Sequence, residues 1–183
     1  MIDELLFAVK LEVVKNLVQP GKTLDVGCGD KVFTVHLPDP IGIDKYRECD
    51  HIYAKPDFWM DACDLKFPDN SFDNACFFDV LEHIPDVKLA IREAWRVLKP
   101  NGIVAVTDPN DAMLFWARMI TLRWEQAFRG RRTPRRESED SPGHIHKFGK
   151  DDLVKLMSPY FRLEKTMHRI IFNGYRFRRC KLN

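Results

Sequence analysis

The chain has 183 residues, 45% of them apolar and 31% charged, with a formal net charge of +2. These figures describe a globular domain over residues 1–183 with room for a sizeable core, and they give no reason to expect nucleic acid as a partner through bulk charge. Five cysteines without paired metal spacing, a charged amino-terminal stretch with no secretory apolar core, and no membrane-length apolar run point to a reducing cytoplasmic setting with free thiols.

Residues 1–20 are expected to form a helix, with Leu5, Leu6, Val9, Val13, Val14 and Leu17 as its apolar stripe. Pro20-Gly21 ends it. Thr23–Val26 is a short buried strand, Pro40–Asp44 a second, Phe58–Met60 a third, and Phe72–Phe78 a fourth introduced by the turn "PDNS". Asp86 can cap a helix running to about Leu98. "KPNG" reads as a turn before a fifth strand, Ile103–Thr107, bare of charge as a doubly buried strand should be. The stretch 111–150 reads as an inserted helix, Asp111 to Phe128, followed by a polar lid loop. Asp151–Met157 is a short helix. Phe161–Ile171 and Tyr175–Cys180 are expected as a hairpin turning at Asn173-Gly174, a pair that tolerates positive φ. The alternation predicts a parallel α/β sheet that takes ligands at the carboxyl ends of its strands.

"LDVGCGDKVFTVHLPDPIGID" carries the first chemical signal. Gly27-Cys28-Gly29 follows a strand, as in a dinucleotide site, but Val32 stands where the third glycine belongs. Asp30 crowds the place a pyrophosphate needs, and Pro38 and Pro40 leave little room for a helix to receive it. A doubly anionic ligand is disfavoured. S-adenosylmethionine, with an adenosine end, a cationic sulfonium and no phosphate, tolerates these acids. Asp44, ending the second strand, is placed to accept from vicinal ribose hydroxyls.

"MDACDLKFPDNSFDNACFFDVLEHIPD", taken with "LDVGCGD" and "GID", resembles the class I, Rossmann-like S-adenosylmethionine-dependent methyltransferases, in their type 11 subgroup. The likeness is close over Thr23 to Pro109 and resumes at "GHIHKFGKDDLVKLM". It implies a three-layer sandwich around a mostly parallel seven-stranded sheet with an antiparallel last strand. It also implies residue roles. Gly27, Cys28 and Gly29 would let the backbone approach the methionine portion, with Asp25 near its charged groups. Asp44 would hold the ribose, with Lys45 beside it. Asp61 would accept from the adenine amino group, and the backbone of Ala62 and Cys63 would bound the ring. Asp79, Val80 and Leu81 would line the cofactor beyond the fourth strand.

Methyl transfer from a sulfonium is an in-line displacement that mainly requires alignment, with a base needed only where the acceptor must lose a proton. His83, His144 and His146 are the candidate bases. His144 and His146 point to one side of an extended segment, but without a third ligand no metal site is expected. "FDVLEH" lacks the Asn/Asp-Pro-Pro-aromatic signature of base and amide nitrogen methylation. The resemblance favours a small-molecule, lipid or saccharide acceptor. Arg129, Arg131, Arg132, Arg135 and Arg136 read as a solvated loop or a contact with an anionic surface. Arg176, Arg178, Arg179 and Lys181 read as guards of an edge strand or part of the same patch. Two other readings stay open: a cofactor-binding module that works through a protein partner, and an RNA methyltransferase using the arginine loop.

Overall fold

The computed structural model describes residues 2–45, 54–109, 146, 148–169 and 172–181. The predicted helix Asp111–Phe128, the arginine loop and His144 lie outside them. The described elements are helices α1 (Ile2–Leu17), α2 (Val87–Val97) and α3 (Lys150–Met157), and seven strands. The strands are β1 (Thr23–Val26), β2 (Pro40–Asp44), β3 (Phe58–Trp59), β4 (Phe72–Phe78), β5 (Leu98–Pro109), β6 (Phe161–His168) and β7 (Phe172–Arg179).

These strands form one sheet in the order β3-β2-β1-β4-β5-β7-β6. β1 to β5 pair in parallel, while β7 runs antiparallel to both β5 and β6. The expected mostly parallel sheet with an antiparallel last strand is therefore present. Strand alternation divides the core in two. Ala75, Phe77, Val104 and Val106 face α2 and α3, whose Ile91, Ala94, Leu153 and Met157 bury against them. Cys76, Phe78, Ile103 and Ala105 face α1, which supplies Val13, Val14 and Leu17. Each large apolar side chain buried this way contributes about 1.5–3 kcal/mol. Leu5, expected on the stripe, is 62% exposed.

The crossover from β1 to β2 contains a single 3-10 turn, Thr34–His36, in place of a full helix. Pro38, Pro40 and Asp39 at φ 39° leave no room for more. Asp86 caps α2 as its residue type requires, accepting from the Leu89 amide at 3.0 Å. The "KPNG" turn survives as a bulge inside β5. Asn101 takes φ 65°, and β5 advances five residues from Leu98 to Ile103 while its partner β4 advances two, from Phe72 to Asn74.

Two expectations are corrected. The hairpin between β6 and β7 exists, but Asn173-Gly174 is not its turn. His168 pairs with Asn173 and Met167 with Gly174 within the ladder, and Arg169 closes the turn by donating to the Phe172 carbonyl. Gly174 is required for another reason: a Cβ there would lie 2.5 Å from Val13 Cγ1 and 2.8 Å from Leu17 Cδ1, so its bareness lets α1 lie down on β7. β7 is also not an edge. The half-buried arginines tie neighbouring elements together. Arg176 donates to the carbonyls of Asn16, Leu17 and Val18 and so caps the carboxyl end of α1. Arg178 is held by Glu164, and Arg179 bonds the Leu98 carbonyl and covers the Trp95 ring at 4.2 Å. The charged edge is β6, which presents Arg162, Glu164 and Lys165.

Replacing Gly174 with alanine is expected to cost about 1–3 kcal/mol in urea unfolding through overpacking. A second substitution, Val13→Ala, should recover part of that loss. Full additivity of the two costs would contradict the packing account.

Candidate functional site

The order of strands reverses between β1 and β4, the switch point at whose carboxyl edge open α/β sheets take their ligands. The glycine loop lies here, and its two glycines do different work. Gly27, at φ 70°, is bare because Val80 fills the adjoining space: a Cβ would sit 2.2 Å from Val80 Cγ2. Gly29, at φ 49°, has no described atom within 4 Å of where its Cβ would be. Gly27 thus locks the loop after β1 to the loop after β4, and Gly29 keeps an open backbone face. Cys28 turns back against β2, its Sγ lying 2.8 Å from where a Cβ on Gly42 would stand. Burial pushes its thiol up to about 12, which favours the protonated thiol.

Asp44 ends β2 and receives the Gly29 amide on Oδ2 at 3.0 Å. The Gly27 and Cys28 amides both donate to the Ile43 carbonyl, so the loop is strapped to β2 along its length. Lys31 donates to Asp57 at 2.5 Å, and the other oxygen of Asp57 takes the Gly42 amide at 2.7 Å. Asp61 follows β3. Its Oδ1 accepts from the Cys63 amide at 2.9 Å and its Oδ2 pairs with Lys45 at 2.8 Å. Burial pushes the Asp61 carboxyl up, but Lys45 and the Cys63 amide outweigh it and hold it below the usual range. Lys45 is therefore beside Asp61, at the outer end of the row. Ala62 packs against the core, and burial lifts the Cys63 thiol to about 11.

The motif "LKFPDNSF" works as a brace for this row. Arg96 of α2 donates to the Leu65 and Phe67 carbonyls at 2.7 and 2.8 Å and pairs with Asp69 and Glu93 at 2.8 Å each. Glu93 in turn accepts from the Leu65 amide at 3.0 Å.

Asp25 is different from the other acids. It sits within β1 at 2% exposure, accepting from the Thr34 hydroxyl at 2.5 Å. Burial pushes its carboxyl up to about 7. The Thr34 hydrogen bond opposes the rise and the Asp44 charge adds to it. Asp79, just past β4, adopts φ 52° and accepts from the Thr107 hydroxyl at 2.8 Å. Its other oxygen pairs with Lys10 of α1, which is 7% exposed and lies over the Phe33 and Phe172 rings. Val80 packs on Gly27, while the Leu81 side chain is buried in the core. His83 ends the 3-10 turn Leu81–His83, and the His146 amide donates to the Glu82 carbonyl at 3.2 Å. Two of the three candidate bases thus come from distant sequence to one place. The His146 Nε2 is buried with no hydrogen-bond partner among the described residues.

Lys10, Lys31, Thr34, Asp57 and Arg96 are site residues that the motifs did not flag. Lys10 had a legible signal: it falls four residues from both Leu6 and Val14, on the buried stripe of α1, where a charge needs a buried partner.

A family model described as a methyltransferase domain matches residues 2–160. The chain belongs to the class I S-adenosylmethionine-dependent methyltransferases. A demethylmenaquinone methyltransferase from Listeria welshimeri is 32% identical over 112 residues, 51% of this chain and 47% of that protein. A sterol 24-C-methyltransferase from Aspergillus fumigatus is 32% identical over 103 residues, 48% of this chain and 27% of that protein. The chain thus spans half or less of the length of these relatives. Among solved structures, a Thermotoga maritima S-adenosylmethionine-dependent methyltransferase superposes with a TM-score of 0.65 at 22% identity, covering 94% of this chain and 88% of that one. The last of these supports the fold. The family's cofactor is S-adenosylmethionine, and the residues present fit it: an open backbone face at Gly29, an acid at the end of β2, and a second acid after β3.

A raised carboxyl makes folding take up protons between the ordinary aspartate range and about 7, so Asp25 costs stability as pH climbs through that window. Asp25→Asn should remove this slope. Between pH 4 and 7.5 the variant is expected to gain on the native chain by an amount on the order of a few kcal/mol, read from urea midpoints. Parallel pH profiles for the two proteins would contradict the assignment.

Proposed function

We propose that residues 1–183 act as one methyltransferase domain that moves a methyl group from S-adenosylmethionine to a small-molecule, lipid or saccharide acceptor. The observation that carries this reading is the row formed by Gly29, Asp44 and Asp61, tied together by the Gly29–Asp44 and Lys45–Asp61 contacts at the sheet's switch point. When bound, the cofactor supplies an electrophilic methyl on a sulfonium sulfur. Asp44, fixed at the end of β2 by the Gly29 amide, is placed to orient the ribose hydroxyls. Asp61 accepts from the adenine amino group, and the Ala62-Cys63 backbone bounds the ring. Gly27, Cys28 and Gly29 offer backbone to the methionine portion, beneath which Asp25 is buried. The loop Asp79-Val80-Leu81 forms the facing wall. Relatives named for a sterol and for demethylmenaquinone support a small-molecule acceptor.

His146 is the base we favour, because a buried imidazole nitrogen without a partner is costly unless a ligand group meets it. His83 stands beside it as the alternative, and His144 remains a candidate from sequence. Four free thiols among the described residues support a reducing, cytoplasmic setting. No helix among the described residues is long and apolar enough to cross a membrane.

Calorimetric titration with S-adenosylhomocysteine, with NAD as control, tests the cofactor site. Asp44→Ala is expected to weaken binding at least about 100-fold, since hydrogen bonds to a carboxylate contribute roughly 1.5–3 kcal/mol each. Unchanged affinity in that variant, or equal binding of NAD, would overturn the reading. Once an acceptor is found by screening, His146→Gln should lower kcat and leave cofactor affinity within about twofold of the native chain. Full turnover would remove His146 as the base.

A further inference from the structure

The pairing of Lys10 with Asp79 is more than a tie between α1 and the sheet. The Lys10 ammonium bonds one Asp79 oxygen and lies 4.7 Å from the Phe33 ring centre and 5.2 Å from that of Phe172. A carboxylate and two aromatic faces around one alkylammonium is the chemistry of a cation site. We propose that Asp79, Phe33 and Phe172 form a cradle for the cationic group of the methyl acceptor, with the Lys10 ammonium its occupant when acceptor is absent. The word acceptor rests on the methyltransferase reading, whereas the cation site does not.

Three features support a receptive site over a simple ion pair. First, the cradle is built without help from Lys10. Phe7 stacks on Phe33 at 5.6 Å, Phe78 meets Phe33 edge-on at 6.1 Å, and Thr107 fixes the second Asp79 oxygen at 2.8 Å. Second, Asp79 holds φ 52°, a conformation that costs a side-chain-bearing residue energy and is kept where surrounding structure imposes it. Third, the cradle adjoins the glycine loop through Val80, the next residue, and can be reached from solvent: the Asp79 side chain is 30% exposed while that of Lys10 is 9% exposed.

Exchange is balanced in charge. An incoming ammonium replaces another, Asp79 keeps a counter-ion, and the flexible lysine stem can swing its head to water. An acceptor without a cationic group would leave Lys10 in place on Asp79 and gain nothing from the cradle. The cradle anchors the acceptor and leaves open which of its atoms is methylated.

Lys10→Ala removes the occupant and leaves the cradle. Its melting temperature, followed at constant ionic strength, is expected to rise by about 3 °C with saturating n-butylammonium and to stay unchanged with n-butanol. The rise should vanish in Lys10→Met, whose chain refills the space, and when Asp79→Asn is added to Lys10→Ala. If Lys10→Ala does not fold unaided, recovery of folded protein on refolding with butylammonium but not butanol supports the cradle. Folded Lys10→Ala that ignores butylammonium, equal effects of amine and alcohol, or no recovery with the amine would overturn it. Binding of S-adenosylhomocysteine together with no amine response sinks this inference alone. An amine response without S-adenosylhomocysteine binding sinks the methyltransferase reading and leaves the cation site standing.

Discussion

Gly27 and Val80 touch where a side chain on Gly27 would lie 2.2 Å from Val80 Cγ2, and the candidate site hangs from that contact. It presses the loop after β1 against the loop after β4 at the reversal of strand order. With the loop fixed there, Gly29 turns an open backbone face to the crevice, and its amide reaches Asp44 at the end of β2. Asp44 and the Ile43 carbonyl then hold the loop from the β2 side. The site is set by short, nonlocal contacts of the loop backbone with Val80, Asp44 and the Ile43 carbonyl, all carried on or next to sheet strands.

Charge is the second constraint. Asp61 and Asp79 follow β3 and β4, Asp57 precedes β3, and each has its own lysine: Lys45, Lys10 and Lys31. Asp25, within β1, relies instead on a hydroxyl and on protonation near neutral pH. A row of acids this dense would repel itself without those lysines. Their arrangement leaves an acidic crevice with nearly compensated charge, suited to a cofactor that carries a positive sulfonium and no phosphate.

Much of this was legible in the sequence because it is local. β1, β2 and β4 are apolar runs bounded by Gly, Pro and Asn, and their limits coincide with the expected ones. The shortened crossover followed from Pro38 and Pro40. The failures are nonlocal. Asn173-Gly174 has hairpin chemistry, but Gly174 answers to α1, far away in sequence. Arg176 could not be assigned from composition, because the carbonyls it caps belong to residues 16–18. The brace of Arg96 and Glu93 under "LKFPDNSF" is likewise invisible until the chain folds, since the motif shows a turn and not what holds it. Lys10 is intermediate: its place on a buried stripe signalled a partner, but not which one.

The proposed path of the cofactor runs along Gly29, Asp44 and Asp61. The most direct measurement is a titration of isotope-labelled protein with S-adenosylhomocysteine, followed through backbone amide resonances. The largest shifts are expected at Gly29, Asp44 and the 61–63 segment, with little change at Lys155 and Leu156 of α3 and at Tyr160 beyond it, which line a separate groove with Lys88 and Ile91 of α2. Shifts concentrated at Lys155, Leu156 and Tyr160, with Gly29 and Asp44 unmoved at saturation, would contradict it.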